Sequence, residues 1–311
     1  MVRRRILHIA FLLAAMLSVS SPAIAEKPRD PHRFAPEEFS IECQLQPEGT
    51  LYEGQPVRCV YVLHSPTPDV SAARILAAPE LRNGTPSILS RIQPDDPGYV
   101  EETKNGPEYC FPIASYILTL PAEGKNAVKK NAFEIDVAYP KMVRDPFWGY
   151  VRTMDTETFI LKADEIPLKV KSLPQAPANS SFSGAIGDFK INAILPPGDI
   201  IVNEEAVVVV KISGEGIIPD DTMPEYRKAF NENAKLKSVS ESRNSYVRDG
   251  RLYSELNLEC TFIPSARSEV EIGSIQFDFF NPATGSYSTV TSRPIPVSVE
   301  SSTLHRPTIE I

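Results

Sequence analysis

The side chains with the widest chemical reach in this sequence are four thiols, Cys43, Cys59, Cys110 and Cys260. Thiols bond to one another, ligate soft metals or attack electrophiles, and spacing decides among these roles. There is no Cys-x-x-Cys, and no histidine stands at ligand spacing from a cysteine, so the spacing predicts no metal site and no cofactor. Cys43 and Cys59 are about equally far from a turn at Leu51, which places them at matched heights on adjacent strands as a disulfide candidate. Closing that loop is worth about 3 kcal/mol on the chain-entropy model. Two alternatives stay open: a Cys59–Cys110 bond linking two sheets, and buried reduced thiols. Cys260 has no partner in its own half and reads as a small buried hydrophobe.

A search for catalytic patterns assigns no catalytic residue. His-Glu-x-x-His is absent, Ser181–Gly187 lacks the Gly-x-Ser-x-Gly elbow, and no Gly-Lys-Ser/Thr follows Ser213-Gly-Glu-Gly216. Asp95-Asp96 and Asp220-Asp221 each adjoin a proline, which suits solvated turns better than calcium ligands. The chain is therefore expected not to be an enzyme. Two other features rise above the background. Asp145-Pro-Phe147-Trp148-Gly-Tyr150 holds the only tryptophan, and its aromatics on an inserted loop are candidates for partner binding. The competing reading packs Phe147, Trp148 and Tyr150 over the end of a sandwich or into a domain junction. The second feature, Phe182-Ser-Gly-Ala-Ile-Gly-Asp-Phe189, contains Gly184 and Gly187, suited to a backbone turn or a close approach.

The elements that must position these residues are strands. Phe39-Ser-Ile41-Glu-Cys43-Gln-Leu45 and Phe189-Lys-Ile191-Asn-Ala193-Ile-Leu195 alternate with period two, and Val57 matches Val207 at the same offset of 150 residues. Tyr116–Pro121 corresponds to Leu258–Pro264, Phe133–Pro140 to Ile275–Pro282, and Ile166–Val170 to Ile295–Val299. A strand module written twice predicts an all-β chain of two tandem immunoglobulin-like antiparallel β-sandwiches. The expected domains are 36–173 and 182–302, with a Pro/Ser-rich linker at 174–181. Pro167 and Pro296 are expected on edge strands. The Asp145–Tyr150 region is an insertion the second copy lacks, and Met223–Leu236 is a possible helix within a crossover.

Met1–Ala25 has the parts of a secretory signal peptide: Arg3, Arg4 and Arg5, an apolar run Ile6–Val19, and Ala23-Ile-Ala25 at the cleavage site. Its removal takes three arginines and no acid, moving the net charge from −8 to −11. An acidic chain of this kind is no general nucleic-acid binder, because it offers few cations to replace phosphate counterions. Export leads to an oxidising compartment that permits disulfides. The count of 29 prolines against 15 glycines also tilts away from helices.

The segment Phe182-Ser-Gly184-Ala-Ile-Gly187-Asp-Phe189 resembles the Phe-x-Gly-x-Val/Ile-Gly-x-Phe signature of the BatD (oxygen tolerance, or aerotolerance) family of exported bacterial proteins. Asp145-Pro-Phe147, Ile212-Ser-Gly214-Glu-Gly216 and Phe279-Phe-Asn-Pro-Ala-Thr-Gly285 with Tyr287 resemble further family segments in the same order. The resemblance implies a periplasmic β-sandwich scaffold in an aerotolerance or envelope-stress system. It would bind von Willebrand factor A-type and tetratricopeptide-repeat proteins alongside a cytosolic MoxR-type ATPase. It carries over no catalytic residue. Many members continue into a C-terminal transmembrane helix, and this sequence stops at Ile311, so membrane association is expected only through partners. A carbohydrate- or ligand-binding module with Trp148 as a stacking platform is the alternative.

Overall fold

A computed structural model describes residues 34–82, 87–92, 97–120, 124–265 and 269–301. The signal peptide at 1–25, His32, His305, Asp95-Asp96 and the C-terminal tail lie outside the described residues. Among the described residues the helical pieces are two 3-10 turns, Pro36–Glu38 and Arg227–Ala229. The expected helix at Met223–Leu236 is corrected accordingly: Pro224 sits near a single 3-10 turn, and a strand begins at Ala234.

Before the proline-rich segment run β1 (Ser40–Gln46), β2 (Leu51–Tyr52), β3 (Pro56–Ser65), β4 (Val70–Ile75), β5 (Ser87–Ile92), β6 (Tyr99–Thr103), β7 (Gly106–Thr119), β8 (Gly124–Val128), β9 (Ala132–Asp145), β10 (Gly149–Lys162) and β11 (Ile166–Lys171). After it run β12 (Ile186–Ile194), β13 (Ile200–Ile201), β14 (Ala206–Ile217), β15 (Ala234–Arg248), β16 (Arg251–Pro264), β17 (Glu269–Ile272), β18 (Gln276–Asn281), β19 (Ser286–Thr291) and β20 (Ile295–Glu300). The chain forms two compact units. One takes the chain up to Gln46 with Arg58–Tyr116 and Lys125–Leu168; the other takes Pro47–Val57, Ile117–Gly124 and the chain from Lys169 onward.

In the first unit a sheet of order β1-β3-β7-β5, with β6 on β7, packs against a sheet of order β10-β9-β4. The contact is made by rings from both sheets. Tyr61 on β3 meets Phe133 on β9 at 4.9 Å between centroids, and Phe159 on β10 lies 5.2 Å from Phe39. Tyr61 is fully buried, and its hydroxyl accepts a hydrogen bond from Asn131 Nδ2 at 3.0 Å, so its polar tip is satisfied inside.

The second unit holds the six-stranded order β15-β16-β14-β12-β18-β19 and the smaller β13-β20-β17. Their inward rows supply one apolar core, with Val208, Val210 and Ile212 from β14, Leu256, Leu258, Cys260 and Phe262 from β16, and Val270 and Val297 from the smaller sheet. The sequence repeat is also a repeat of pairing. β1 pairs antiparallel with β3 as β12 does with β14, and the short β2 and β13 each pair in parallel with the last strand of their half, Leu51 with Val170 and Ile200 with Val299.

Pro167 and Pro296 do not lie on outermost strands, as the sequence suggested: β11 and β20 stand in the middle of their three-stranded orders. The pairing of β20 with β13 begins only at Val299, so at Pro296, registered with Glu271, the neighbour is β17 alone.

Asp278 on β18 secures the segment entering the second half. Its Oδ2 accepts from Ser180 Oγ and Ser181 N, both at 2.7 Å, and from Ser181 Oγ at 3.3 Å, while its Oδ1 accepts from Thr289 Oγ1 at 2.6 Å. Burial pushes its pKa up, but these bonds together outweigh burial and hold the carboxyl below its ordinary 3.8. Because the folded pKa is the lower one, this stabilisation is fully present above the unfolded value and is lost as pH falls through the folded value. Asp278→Asn is expected to cost about 1.5–3 kcal/mol near pH 7. Urea unfolding at neutral and acid pH checks this, since the gap between wild type and variant must narrow below about pH 3.8.

Candidate functional site

Hairpin β9–β10 changes character along its length. The inner half is amphipathic, with Phe133, Ile135, Val137, Tyr139, Phe159 and Leu161 buried against the first unit's core. Beyond the Pro140–Met154 pair, Lys141, Met142, Val143 and Arg144 on one strand and Arg152 and Thr153 on the other are exposed in succession, so both faces of the ribbon meet solvent. Strands of 14 residues here, against 6 in the corresponding β18–β19 hairpin, account for the insertion read from the sequence. It is an arm extending past the sheet.

The tip of the arm is a defined turn. Asp145 Oδ1 accepts from the backbone N–H groups of Phe147 and Trp148 at 2.8 and 2.9 Å, Pro146 presets its own φ, and Gly149 takes φ +76° where the chain re-enters the ladder. That geometry turns the aromatic side chains outward: Phe147 is 91% and Trp148 83% exposed, with Tyr150 and Met154 also in solvent. The reading that packs these rings over the end of a sandwich is therefore overturned. A pinned turn holding large apolar groups in water has the form of a contact element: the rings lose little conformational freedom on docking and bury a large area.

The motif residues of the second unit have structural posts. Phe189 is buried and meets Phe277 and Phe279 edge-on at 5.8 and 5.4 Å. Phe182 packs edge-on against Tyr287 at 4.9 Å; Tyr287 continues to Phe280 at 5.3 Å and donates its hydroxyl to Pro174 O at 2.7 Å. Gly184 adopts φ +109° beside Pro219. Gly187 lies directly opposite Gly216 where β12 and β14 come closest. These residues shape the fold and offer no exposed chemical group. Asp220 and Asp221 are exposed in a turn at the rim of a shallow polar groove lined by Arg243, Asn244 and Glu255.

The structure brings Cys43 and Cys59 together. Both are buried on the inward face, diagonal to each other because Cys43 pairs with Tyr61 and Leu45 with Cys59, and their sulfurs stand 3.1 Å apart. The Cys43 thiol is pushed far above its ordinary range, by its hydrogen bond to Cys59 and then by burial, so it stays protonated until oxidised. Cys110 sits on β7 of the same sheet and clusters with Val60 and Val62 on its other face, so the alternative Cys59–Cys110 link between sheets is not available. Cys260 is buried in the second core, its thiol pushed up to about 11 by burial. Protein purified from an oxidising compartment should therefore carry a Cys43–Cys59 disulfide, with Cys110 and Cys260 as thiols. Denatured thiol labelling with peptide mapping checks this, and reduction should lower stability by about 3 kcal/mol.

Spacing along the chain gave no sign of one further grouping, His64 with Glu108 and Cys110, whose members come from two neighbouring strands. The alternate spacing of Glu108 and Cys110 puts both on one face of a strand, but nothing in the spacing brings His64 to them.

These features define the class: an all-β, sandwich-like chain with a projecting aromatic arm. No family model and no curated protein matches the chain. Among the described residues no helix is long and apolar enough to cross a membrane.

Proposed function

We infer that this chain is a non-enzymatic, exported interaction protein of BatD type, working in an aerotolerance or envelope-stress system. On this reading its two halves are tandem immunoglobulin-like β-sandwiches. Its partners are von Willebrand factor A-type or tetratricopeptide-repeat proteins on the periplasmic side of the inner membrane, and it reaches the membrane only through them. The observation that carries the reading is the arm, with Phe147 and Trp148 almost fully exposed on a turn held by Asp145. Isolated exposed apolar side chains are ordinary, but a cluster of rings at the end of a ribbon marks a contact surface. The residues behind the resemblance add support, since Phe182, Gly187, Phe189, Phe280, Gly285 and Tyr287 all sit in the second unit with defined packing roles.

In-cell crosslinking and recovery of the tagged mature protein, with mass spectrometry of what accompanies it, tests the proposal. Recovery of von Willebrand factor A-type or tetratricopeptide-repeat membrane proteins supports it. Recovery of the protein alone or with glycans overturns it in favour of a ligand-binding module, for which the exposed Trp148 ring would be the stacking surface.

A further inference from the structure

Away from the arm, the outer face of the first unit's five-stranded sheet gathers groups of a different chemistry. His64 comes from β3 and Glu108 and Cys110 from β7, the neighbouring strand; the Nδ1, carboxylate and Sγ atoms all lie within 4.8 Å of one another. Across the β6–β7 ladder Tyr99 faces Cys110 and Glu101 faces Glu108. The floor is a small apolar cluster of Val60, Val62 and Cys110 with Tyr99 packed on it. Cys110 is fully buried, the His64 side chain is 15% exposed, and Glu108 lies at the rim.

We propose that His64, Glu108 and Cys110 form a binding site for a divalent transition metal of the zinc class, with Glu42 as the residue that orients the imidazole. The spacing of the donor atoms supports this. Cys110 Sγ is 3.5 Å and Glu108 Oε2 3.4 Å from His64 Nδ1. Tetrahedral zinc, with bonds of about 2.3 Å to sulfur and about 2.0–2.2 Å to nitrogen and oxygen, requires edges of about 3.6 Å for S···N and about 3.4 Å for N···O. Both edges at His64 therefore stand near their coordinating separations, and the third, from sulfur to carboxylate, is within 4.8 Å.

The imidazole is oriented to match. Glu42 Oε2 lies 3.4 Å from Nε2, on the far side of the ring. With a cation held by Nδ1 and Glu108, the proton would sit on Nε2 facing Glu42, the arrangement by which outer carboxylates set histidine ligands. Glu42 and Glu108 flank the imidazole at its two nitrogens, and Glu101 stands across the ladder from Glu108. A cation bound among Cys110, Glu108 and Glu101 offsets this concentration of negative charge. A set of one sulfur, one nitrogen and one carboxylate suits zinc and excludes calcium or magnesium, which take oxygen donors. Three protein donors leave the fourth position to solvent or to an exogenous ligand. The site needs only one thiol, so it is compatible with a Cys43–Cys59 disulfide on the opposite face.

Titration of the metal-stripped, full-length mature protein with Co²⁺ and then Zn²⁺ provides the test. The expected result is one equivalent of Co²⁺ giving tetrahedral visible bands and a near-ultraviolet thiolate-to-cobalt band, both erased by Zn²⁺. Cys110→Ser should lose the thiolate band, and Cys260→Ser should keep it. Because Cys110 is buried, the surface variant Glu42→Gln provides the independent arm, lowering zinc affinity by about 10- to 100-fold in a chelator competition. Saturable binding without a thiolate band, binding unaffected by Cys110→Ser, or no saturable binding at micromolar metal would each overturn the site. None of these readouts involves the arm, so they stand or fall independently of the proposed partners.

Discussion

Replacing Phe147 and Trp148 together with alanine is expected to lower partner capture on the order of a hundredfold, with the unfolding midpoint unchanged. The first half of that expectation follows from how interface energy is distributed. Large rings that move from water into a partner's pocket act as anchors, each worth about 2 kcal/mol or more on truncation. A loss of about 2.8 kcal/mol is already a hundredfold in affinity. The second half follows from exposure, since rings 91% and 83% open to solvent support nothing in the folded chain. The turn itself survives, because Asp145 Oδ1 binds backbone N–H groups that alanine retains. Quantitative recovery of crosslinked partners and a thermal melt, run on the same preparation, read the two effects apart. Phe159→Ala in the buried half of the hairpin is the contrast, and it should lose stability by about 3–5 kcal/mol. Unchanged capture by the double variant would remove the arm from the interface.

The second large effect is expected at Gly187. It is registered with Gly216 across the β12–β14 ladder, and Gly214 stands opposite Phe189 in the same ladder. A Cβ on Gly187 would lie 2.1 Å from Glu215 O and 2.8 Å from the Gly216 Cα. A Cβ on Gly216, at φ +135°, would lie 2.2 Å from Ile186 O. The obstructing atoms are backbone on a strand at the centre of the sheet, so no side chain can swing aside. Gly187→Ala must therefore force β12 and β14 apart and disturb the Phe189 packing they hold. Overpacking of this kind costs about 1–3 kcal/mol, occasionally more, and the left-handed backbone adds about 1–2 kcal/mol, for about 2–5 kcal/mol in all. Gly49→Ala is the control: its φ is +108°, but nothing lies within 4 Å of the added carbon, so only the backbone cost applies. Denaturant unfolding of the two variants should differ by at least about 1 kcal/mol. Equal losses would show that the close approach carries no energetic weight.

Much of the fold was legible because a strand's inward and outward faces alternate with period two, and apolar residues mark one face wherever it is buried. The rows Phe133-Ile135-Val137 and Leu256-Leu258-Cys260-Phe262 announce themselves in this way, and both are buried. The repeat was legible for the same reason, since equivalent strands meet equivalent cores. The helix suggested at Met223–Leu236 arose because local propensity there does not record that Ala234 and Leu236 pair with Pro264 and Phe262 on β16. The aromatic arm was visible as a cluster, but exposure and burial look alike in a string of letters. Whether Phe147 and Trp148 covered a core or stood in water depended on the ladder carrying them beyond the sheet.

The amino-acid sequence by itself determined that this chain is built of strands, that its two halves repeat one pattern, and that Cys43 and Cys59 fall at comparable heights. Those properties follow from periodicity and local backbone preference, which act over a few residues. Tertiary structure alone decided that the two sulfurs come within 3.1 Å of each other, that Cys110 turns the other way toward His64 and Glu108, and that Gly187 meets Gly216. Each of these rests on register between strands distant in sequence, where a slip of one residue reverses every side chain from one face to the other.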